Sequence, residues 1–189
     1  MGKTVYYCAT SLDGFIATED DDIDWLTGYR GSFSGEGARP GKGGGYERFY
    51  EGVGALVSGS TTYEWVLEHI GEGEWPYEGK PCWVLSSRDL PKPAGAEDDV
   101  RIVDAAVTDL IDELRAAAGD RALWIVGGGP VASQFAEAGL LDEVSLTVVP
   151  VVLGSGKPLF HRPLPGGPMQ LVEAHPYDTG MVGLRYTLR

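Results

Sequence analysis

Three short stretches combine small, hydroxylated and cationic residues in patterns suited to holding phosphate groups. In the first, Leu123-Trp124-Ile125-Val126-Gly127-Gly128-Gly129-Pro130-Val131-Ala132-Ser133-Gln134-Phe135, an apolar run meets three glycines and a proline. The glycines allow a tight strand-to-helix turn and let another molecule approach the backbone. Pro130 suits the first helical position, where its missing N–H would have had no partner. Free N–H groups and the positive end of the helix dipole would then face an anion, although three glycines describe a plain tight turn equally well. The stretch is neither G-x-G-x-x-G nor a P-loop, since no Gly-Lys-Ser/Thr follows. The second stretch, Gly59-Ser60-Thr61-Thr62-Tyr63-Glu64, again leads from an apolar run into a helix, with Thr61 and Glu64 spaced as a capping box. The third, Leu85-Ser86-Ser87-Arg88, sets two hydroxyls and a guanidinium at a strand end. Such donors fit a phosphate monoester and equally a polar turn. Ligands of α/β sheets sit outside the carboxyl ends of strands, so the three corners together suit one long, multiply phosphorylated ligand better than a single phosphate.

The elements that must position these corners follow from periodicity. Val5–Thr10, Phe15–Ala17, Ala55–Ser58, Pro81–Leu85, Val100–Val103 and Leu123–Val126 read as strands, as do the closing segments Gln170–His175 and Met181–Leu188. Helices are expected over Tyr46–Gly52, from Thr61 with Tyr63, Val66, Leu67 and Ile70 as its stripe, over Asp104–Ala118 with Gly119 as its stop, and over Val131–Ala138. Val144–Leu153 is a long apolar run whose Pro150 points to a bulge or an edge position, and Gly154–Phe160 reads as a loop. The segment Tyr29–Gly45, rich in Gly, Ser and Arg, reads as a surface loop and candidate active-site flap. Alternation of strands and helices through the middle predicts an α/β three-layer domain, about eight strands and four helices, with an antiparallel end.

Length and composition bound the function. The 189 residues, 43% hydrophobic and 23% charged, are expected to form one domain over 1–189. No apolar run approaches the ~20 residues that span a bilayer, and the N-terminus has no signal-peptide pattern, which predicts a cytoplasmic protein. Cys8 and Cys82 lie in apolar strands and read as buried free thiols, and His69, His161 and His175 match no zinc spacing, so no metal is expected. The formal net charge of −13 argues against nucleic acid and anionic membranes as partners. An anionic ligand must be held by local N–H groups and a few arginines against the field of the whole chain.

On these residues the chain resembles the dihydrofolate reductase-like superfamily. It is most similar to the branch typified by the C-terminal reductase domain of riboflavin-biosynthesis deaminase/reductases and to stand-alone relatives. The matching pieces, in the family's order, are Ser11-Leu12-Asp13-Gly14-Phe15-Ile16-Ala17, Gly59-x-Thr61-Thr62-Tyr63-Glu64, Leu85-Ser86-Ser87-Arg88, Ile125-Val126-Gly127-Gly128-Gly129, and Leu141–Val144 to Gly156–Phe160. The resemblance implies a mostly parallel eight-stranded sheet with flanking helices and NADPH bound across its strand ends. It implies pyrophosphate contacts from Val126, Gly127, Gly128, Gly129, Pro130, Val131 and Ala132. Thr61 and Thr62 would help from the neighbouring helix N-terminus, Ser86, Ser87 and Arg88 would surround the adenosine 2′-phosphate, and Gly59, Ser60 and Leu85 would also lie against the cofactor. Ala9 and Ile16 would line the nicotinamide, Trp25 the mouth of the substrate pocket, and Thr147 would face the substrate. A homodimer is implied too, with Val144–Leu153 as a candidate contact. Two departures stand out: Ser60 replaces the family's frequent Arg, and the pterin-facing carboxylate of folate reducers falls in Gly43-Gly44-Gly45, where no acid stands.

Hydride transfer also needs a proton source and exclusion of water. Asp13, Glu47 and Glu51 are the candidate acids, although Asp before Gly is ordinary turn chemistry and helix acids are usually solvated; a water anchored by Thr147 is the alternative. Trp25, Tyr46 and Phe49 are candidates to stack on a flat substrate, or equally core aromatics. The expectation is an NADPH-dependent reductase of a small pterin-like or ribosylaminopyrimidine-like compound. Its rival is a non-catalytic nucleotide-binding module that keeps the NADPH cleft.

Overall fold

The computed structural model describes residues 2–29, 45–69 and 75–188. The chain opens with β1 (Thr4–Ser11), β2 (Phe15–Ala17), α1 (Asp24–Thr27) and α2 (Gly45–Glu51). It continues through β3 (Val53–Gly59), α3 (Ser60–His69), β4 (Cys82–Leu85), β5 (Val100–Val103), α4 (Val107–Ala118), β6 (Ala122–Gly127) and α5 (Gly129–Glu137). β7 (Glu143–Val149), β8 (Lys157–Pro158), β9 (Gln170–Pro176) and β10 (Val182–Thr187) complete it. Eight strands form one sheet in the order β5-β4-β3-β6-β1-β7-β10-β9, and β2 pairs with β8 alongside. The strands from β5 to β7 are parallel, and β10 runs antiparallel to both β7 and β9. This is the α/β sheet with an antiparallel end that the alternating pattern predicts.

Strand alternation sorts the core into two layers. Tyr6, Ala55, Val57, Trp83, Leu123 and Ile125 face α4 and α5, whose Leu110, Ile111, Leu114, Val131 and Phe135 complete one buried cluster. Their neighbours Leu56, Cys82, Val84 and Trp124 face the other way, against Tyr63, Val66 and the aromatics of α2. Burial of each such large side chain contributes about 1.5–3 kcal/mol, and a one-residue slip of any central strand would exchange the two sets. Both cysteines are free, and burial pushes each thiol up to about 12.

Several boundaries differ from expectation. The helix expected from Asp104 begins at Val107, after an extended Ala106 (ψ 147), but buries the predicted stripe and ends at Gly119, where φ is +63. Pro130 is the second residue of α5, since the helix already starts at Gly129. Pro150 lies just beyond β7, ending the strand instead of bulging it, and the loop expected at Gly154–Phe160 contains β8. Ile70 and residues 30–44 of the expected flap, with Gly43 and Gly44, lie outside the described residues. Among the described residues no helix is long and apolar enough to cross a membrane, and no group of three or more His, Cys, Asp or Glu could hold a metal.

Candidate functional site

Because β4, β3, β6 and β1 are neighbours and parallel, their carboxyl ends share one edge of the sheet. At strand spacings of ~4.8 Å that edge runs about 14 Å from β4 to β1. The chain builds outward from β3 to β5, returns to place β6 beside β1, then crosses to β7 on the far side. Such a reversal of winding is where open α/β sheets leave a crevice for ligands. All three phosphate-friendly corners therefore fall on the same edge.

The corners of β3 and β6 are packed into one another. A Cβ on Gly127 would stand 2.9 Å from Thr62 Oγ1, and one on Gly59 would stand 3.2 Å from Val131 Cγ2. Gly129 tolerates none, because the carbonyl oxygens of Pro158 and Leu159 press against it. Gly128 differs: a Cβ there meets nothing closer than 3.7 Å, with Thr62 Oγ1 and Ile16 Cδ1 as flanking atoms. The sheet thus brings Ile16, Gly59, Thr62, Gly127, Gly128 and Val131 together, with Gly128 the one of these three glycines where a Cβ would make only ordinary contacts. The N–H groups of Val131 and Ala132 both donate to the Gly128 carbonyl, at 3.0 and 3.2 Å, and Pro130 has none. An anion at this turn must therefore be met by the glycines themselves, a narrower set of donors than the sequence suggests.

At the β4 corner, the Ser86 N–H donates to the Val103 carbonyl at 2.9 Å, and its Oγ accepts the Arg88 N–H at 3.0 Å. Ser87 is exposed. Arg88 is already partnered, its two terminal nitrogens donating to the two carboxylate oxygens of Glu64 at 2.9 and 2.6 Å. The capping box expected of Thr61 and Glu64 is displaced, because α3 begins at Ser60, leaving Thr61 inside the first turn while Glu64 turns to Arg88.

At the β1 end, Asp13 is tied down. Ser11 Oγ donates to it at 2.7 Å, and the Leu153 and Gly154 N–H groups do so at 3.1 and 2.7 Å. These bonds, that of Ser11 first, hold its carboxyl below the usual carboxylate range. Glu47 and Glu51 are exposed on α2. Phe49 stacks on Tyr7 with ring centroids 4.4 Å apart, Tyr46 stacks on Tyr50 at 5.8 Å, and all three α2 aromatics meet Trp124 edge-on. Tyr46 and Phe49 therefore spend their faces on the core layer. Trp25 packs against the cluster of Leu26, Val149 and Met181, as Ala9 and Tyr177 also do, and its indole N–H is buried without a partner among the described residues.

Thr147 lies beside Ala9 in the β1–β7 register, and its side chain lies near the Tyr7 hydroxyl. The Tyr7 hydroxyl is shifted upward, chiefly by burial and then by its neighbour Tyr177, whose ring covers Gly183 on β10. The sequence does not single out Tyr7 or Tyr177, and it reads Glu64 only as a helix cap. The available signal for Tyr7 is its place two residues before Ala9, which puts both on one face of the strand.

A family model described as the RibD C-terminal domain matches residues 75–182. The uncharacterized protein YwjB of Bacillus subtilis (strain 168) is 38% identical over 161 residues, covering 85% of this chain and 83% of its own length. Among solved structures, a Shewanella sp. PV-4 protein whose name places it in riboflavin biosynthesis aligns with TM-score 0.80 and 31% identity over 98% of both chains. The Thermotoga maritima diaminohydroxyphosphoribosylaminopyrimidine deaminase/5-amino-6-(5-phosphoribosylamino)uracil reductase aligns with TM-score 0.62 over 98% of this chain and 56% of its own. At 17% identity that last likeness is one of fold.

Proposed function

The chain belongs to the RibD C-terminal domain family, and on that footing we propose that it is an NADPH-dependent reductase that transfers a hydride to a small pterin-like or ribosylaminopyrimidine-like substrate. The observation that carries this reading is the shared edge of β4, β3, β6 and β1, which brings the three phosphate-friendly corners together and sets Gly128 beside Thr62 and Ile16. The residues fit the cofactor. Gly127, Gly128 and Gly129 with the α3 start at Ser60, Thr61 and Thr62 would hold the pyrophosphate, Ser86, Ser87 and Arg88 the 2′-phosphate, and Ala9 and Ile16 the nicotinamide. When bound, NADPH supplies the hydride.

The chain's own part is to orient and to exclude water. Asp13, fixed as a carboxylate by three donors, anchors the β1–β2 turn to the Leu153–Gly154 backbone and is poorly suited to give up a proton. Burial keeps Tyr7 protonated, so its hydroxyl with that of Thr147 offers the substrate side of Ala9 a polar contact and an anchor for a proton-carrying water. Trp25, with its unpartnered indole N–H and packed against the same cluster as Ala9, is the aromatic best placed to meet a substrate.

The test is titration of NADPH by fluorescence. Gly128→Asp, whose Cβ would meet only ordinary contacts, should weaken binding about 100-fold, equivalent to about 2.7 kcal/mol; binding as tight as wild type would sink the assignment. A second reading, a module that binds NADPH without turning over substrate, is favoured by one observation: Asp13 is tied up and Glu47 is exposed. NADPH oxidation in the presence of pterins and aminopyrimidines separates the two readings.

A further inference from the structure

We infer that Glu64 limits the preference for NADPH over NADH, because it occupies the guanidinium that a 2′-phosphate would use; the inference rests on the cofactor assignment above. Across Ser60–Glu64 and Leu85–Arg88 the sequence supplies one cation, Arg88, and one anion, Glu64. The two are 24 residues apart in sequence, yet each terminal guanidinium nitrogen donates to one of the two carboxylate oxygens, at 2.9 and 2.6 Å. A paired fork of this kind is geometrically specific, and its net charge is zero.

A phosphate dianion arriving at Ser86 and Ser87 therefore meets a neutral pair instead of a free cation. The pair's two carboxylate oxygens repel the dianion at close range. The 2′-hydroxyl of NADH meets no such repulsion and can donate a hydrogen bond to a carboxylate. The pair also stays open to competition, because the Arg88 side chain is 56% and the Glu64 side chain 35% exposed, and exposed ion pairs hold together weakly. NADPH can thus draw Arg88 toward itself, but only at the expense of its bonds to Glu64. Ser60, standing where a second arginine is frequent in the family, leaves no other cation in these two segments to make up the difference.

The experiment measures Kd for NADPH and NADH by fluorescence for the wild type, Glu64→Gln, Arg88→Ala and the double variant, with thermal unfolding to confirm that each folds. Glu64→Gln should raise the NADPH:NADH affinity ratio about tenfold, or about 1.4 kcal/mol, through tighter NADPH binding. It should also shift the salt dependence of NADPH affinity toward loss at high salt, as an unpaired Arg88 takes over the contact, and its effect should vanish when Arg88 is already Ala. If both nucleotides bind the wild type but Glu64→Gln leaves the ratio unchanged or lowers it, Glu64 merely orients Arg88 and the inference is overturned while the cofactor assignment stands. If neither nucleotide binds the wild type, the cofactor assignment fails and takes this inference with it.

Discussion

A carboxylate that accepts three hydrogen bonds is held in its charged form, and Asp13 is in that position. Its carboxyl is held below the ordinary aspartate value, by the Ser11 hydroxyl first. For an acid lowered on folding, the stabilisation is present above the unfolded pKa, about 3.9, and is lost as pH falls through the lower folded value. Asp13→Asn should therefore melt below wild type at pH 7, with the two curves converging as the pH is taken below about 4; a gap independent of pH would mean that the charge plays no part. Thr147 and Tyr7 are judged by turnover. Thr147→Val and Tyr7→Phe should each lower kcat by about 5- to 10-fold, the size of one hydrogen bond of about 1 kcal/mol, while leaving the NADPH Kd within about twofold. Loss of NADPH binding in either variant would place these hydroxyls on the cofactor side of the cleft.

The start of α5 is where element geometry and site geometry are hardest to separate, and two neighbouring glycines separate them. Gly129 is wedged against the carbonyl oxygens of Pro158 and Leu159, so Gly129→Ala must push β8 away. A loss of about 1–3 kcal/mol in urea unfolding is expected, whereas Gly128→Ala, with only ordinary contacts waiting, should stay within about 1 kcal/mol of wild type and lose NADPH affinity instead. Equal stability losses would mean that both glycines serve packing alone. The strand alternation, the α4 stripe with its Gly119 stop and the strand-glycine-helix corners are legible in the sequence because each is written in consecutive residues. What escapes is written across the chain. Asp13 finds its N–H partners about 140 residues away, and Glu64 has a local explanation as a capping residue that conceals its pairing with Arg88. Tyr7 reads as one more strand aromatic until β7 sets Thr147 beside Ala9, two residues further along the same face. The sequence overcounts the phosphate donors at α5 for the same reason, since only the folded turn reveals that the Gly128 carbonyl takes two of them.

At the scale of the molecule, β7 within the expected dimer segment Val144–Leu153 has no free edge, being paired with β1 on one side and β10 on the other, so a second copy cannot add to it as a strand. The tip of that segment remains: Val152 is 69% and Leu12 63% exposed, and the Leu12 N–H bonds the Val151 carbonyl. We propose that a second copy of the chain covers this tip. Light scattering should then give twice 20.2 kDa, and Val152→Lys should restore the single mass; a monomeric wild type would end the proposal. The formal charge of −13 acts on the same protein in a way no single residue controls. A polyphosphorylated anion approaches against that field until it enters the edge where backbone dipoles hold it, and the one arginine of the β4 corner is neutralised by Glu64. The Debye length shrinks from about 30 Å at 0.01 M to about 8 Å at 0.15 M salt, so added salt screens the long approach more than the short-range contacts. The association rate of NADPH, followed by stopped-flow fluorescence, should accordingly rise about threefold over that range, and that of the less charged NADH should rise less. A rate that falls with salt would require a positive field at the cleft mouth strong enough to outweigh the whole chain, and the Ser60–Glu64 and Leu85–Arg88 segments, with one cation set against one anion, contain no such source.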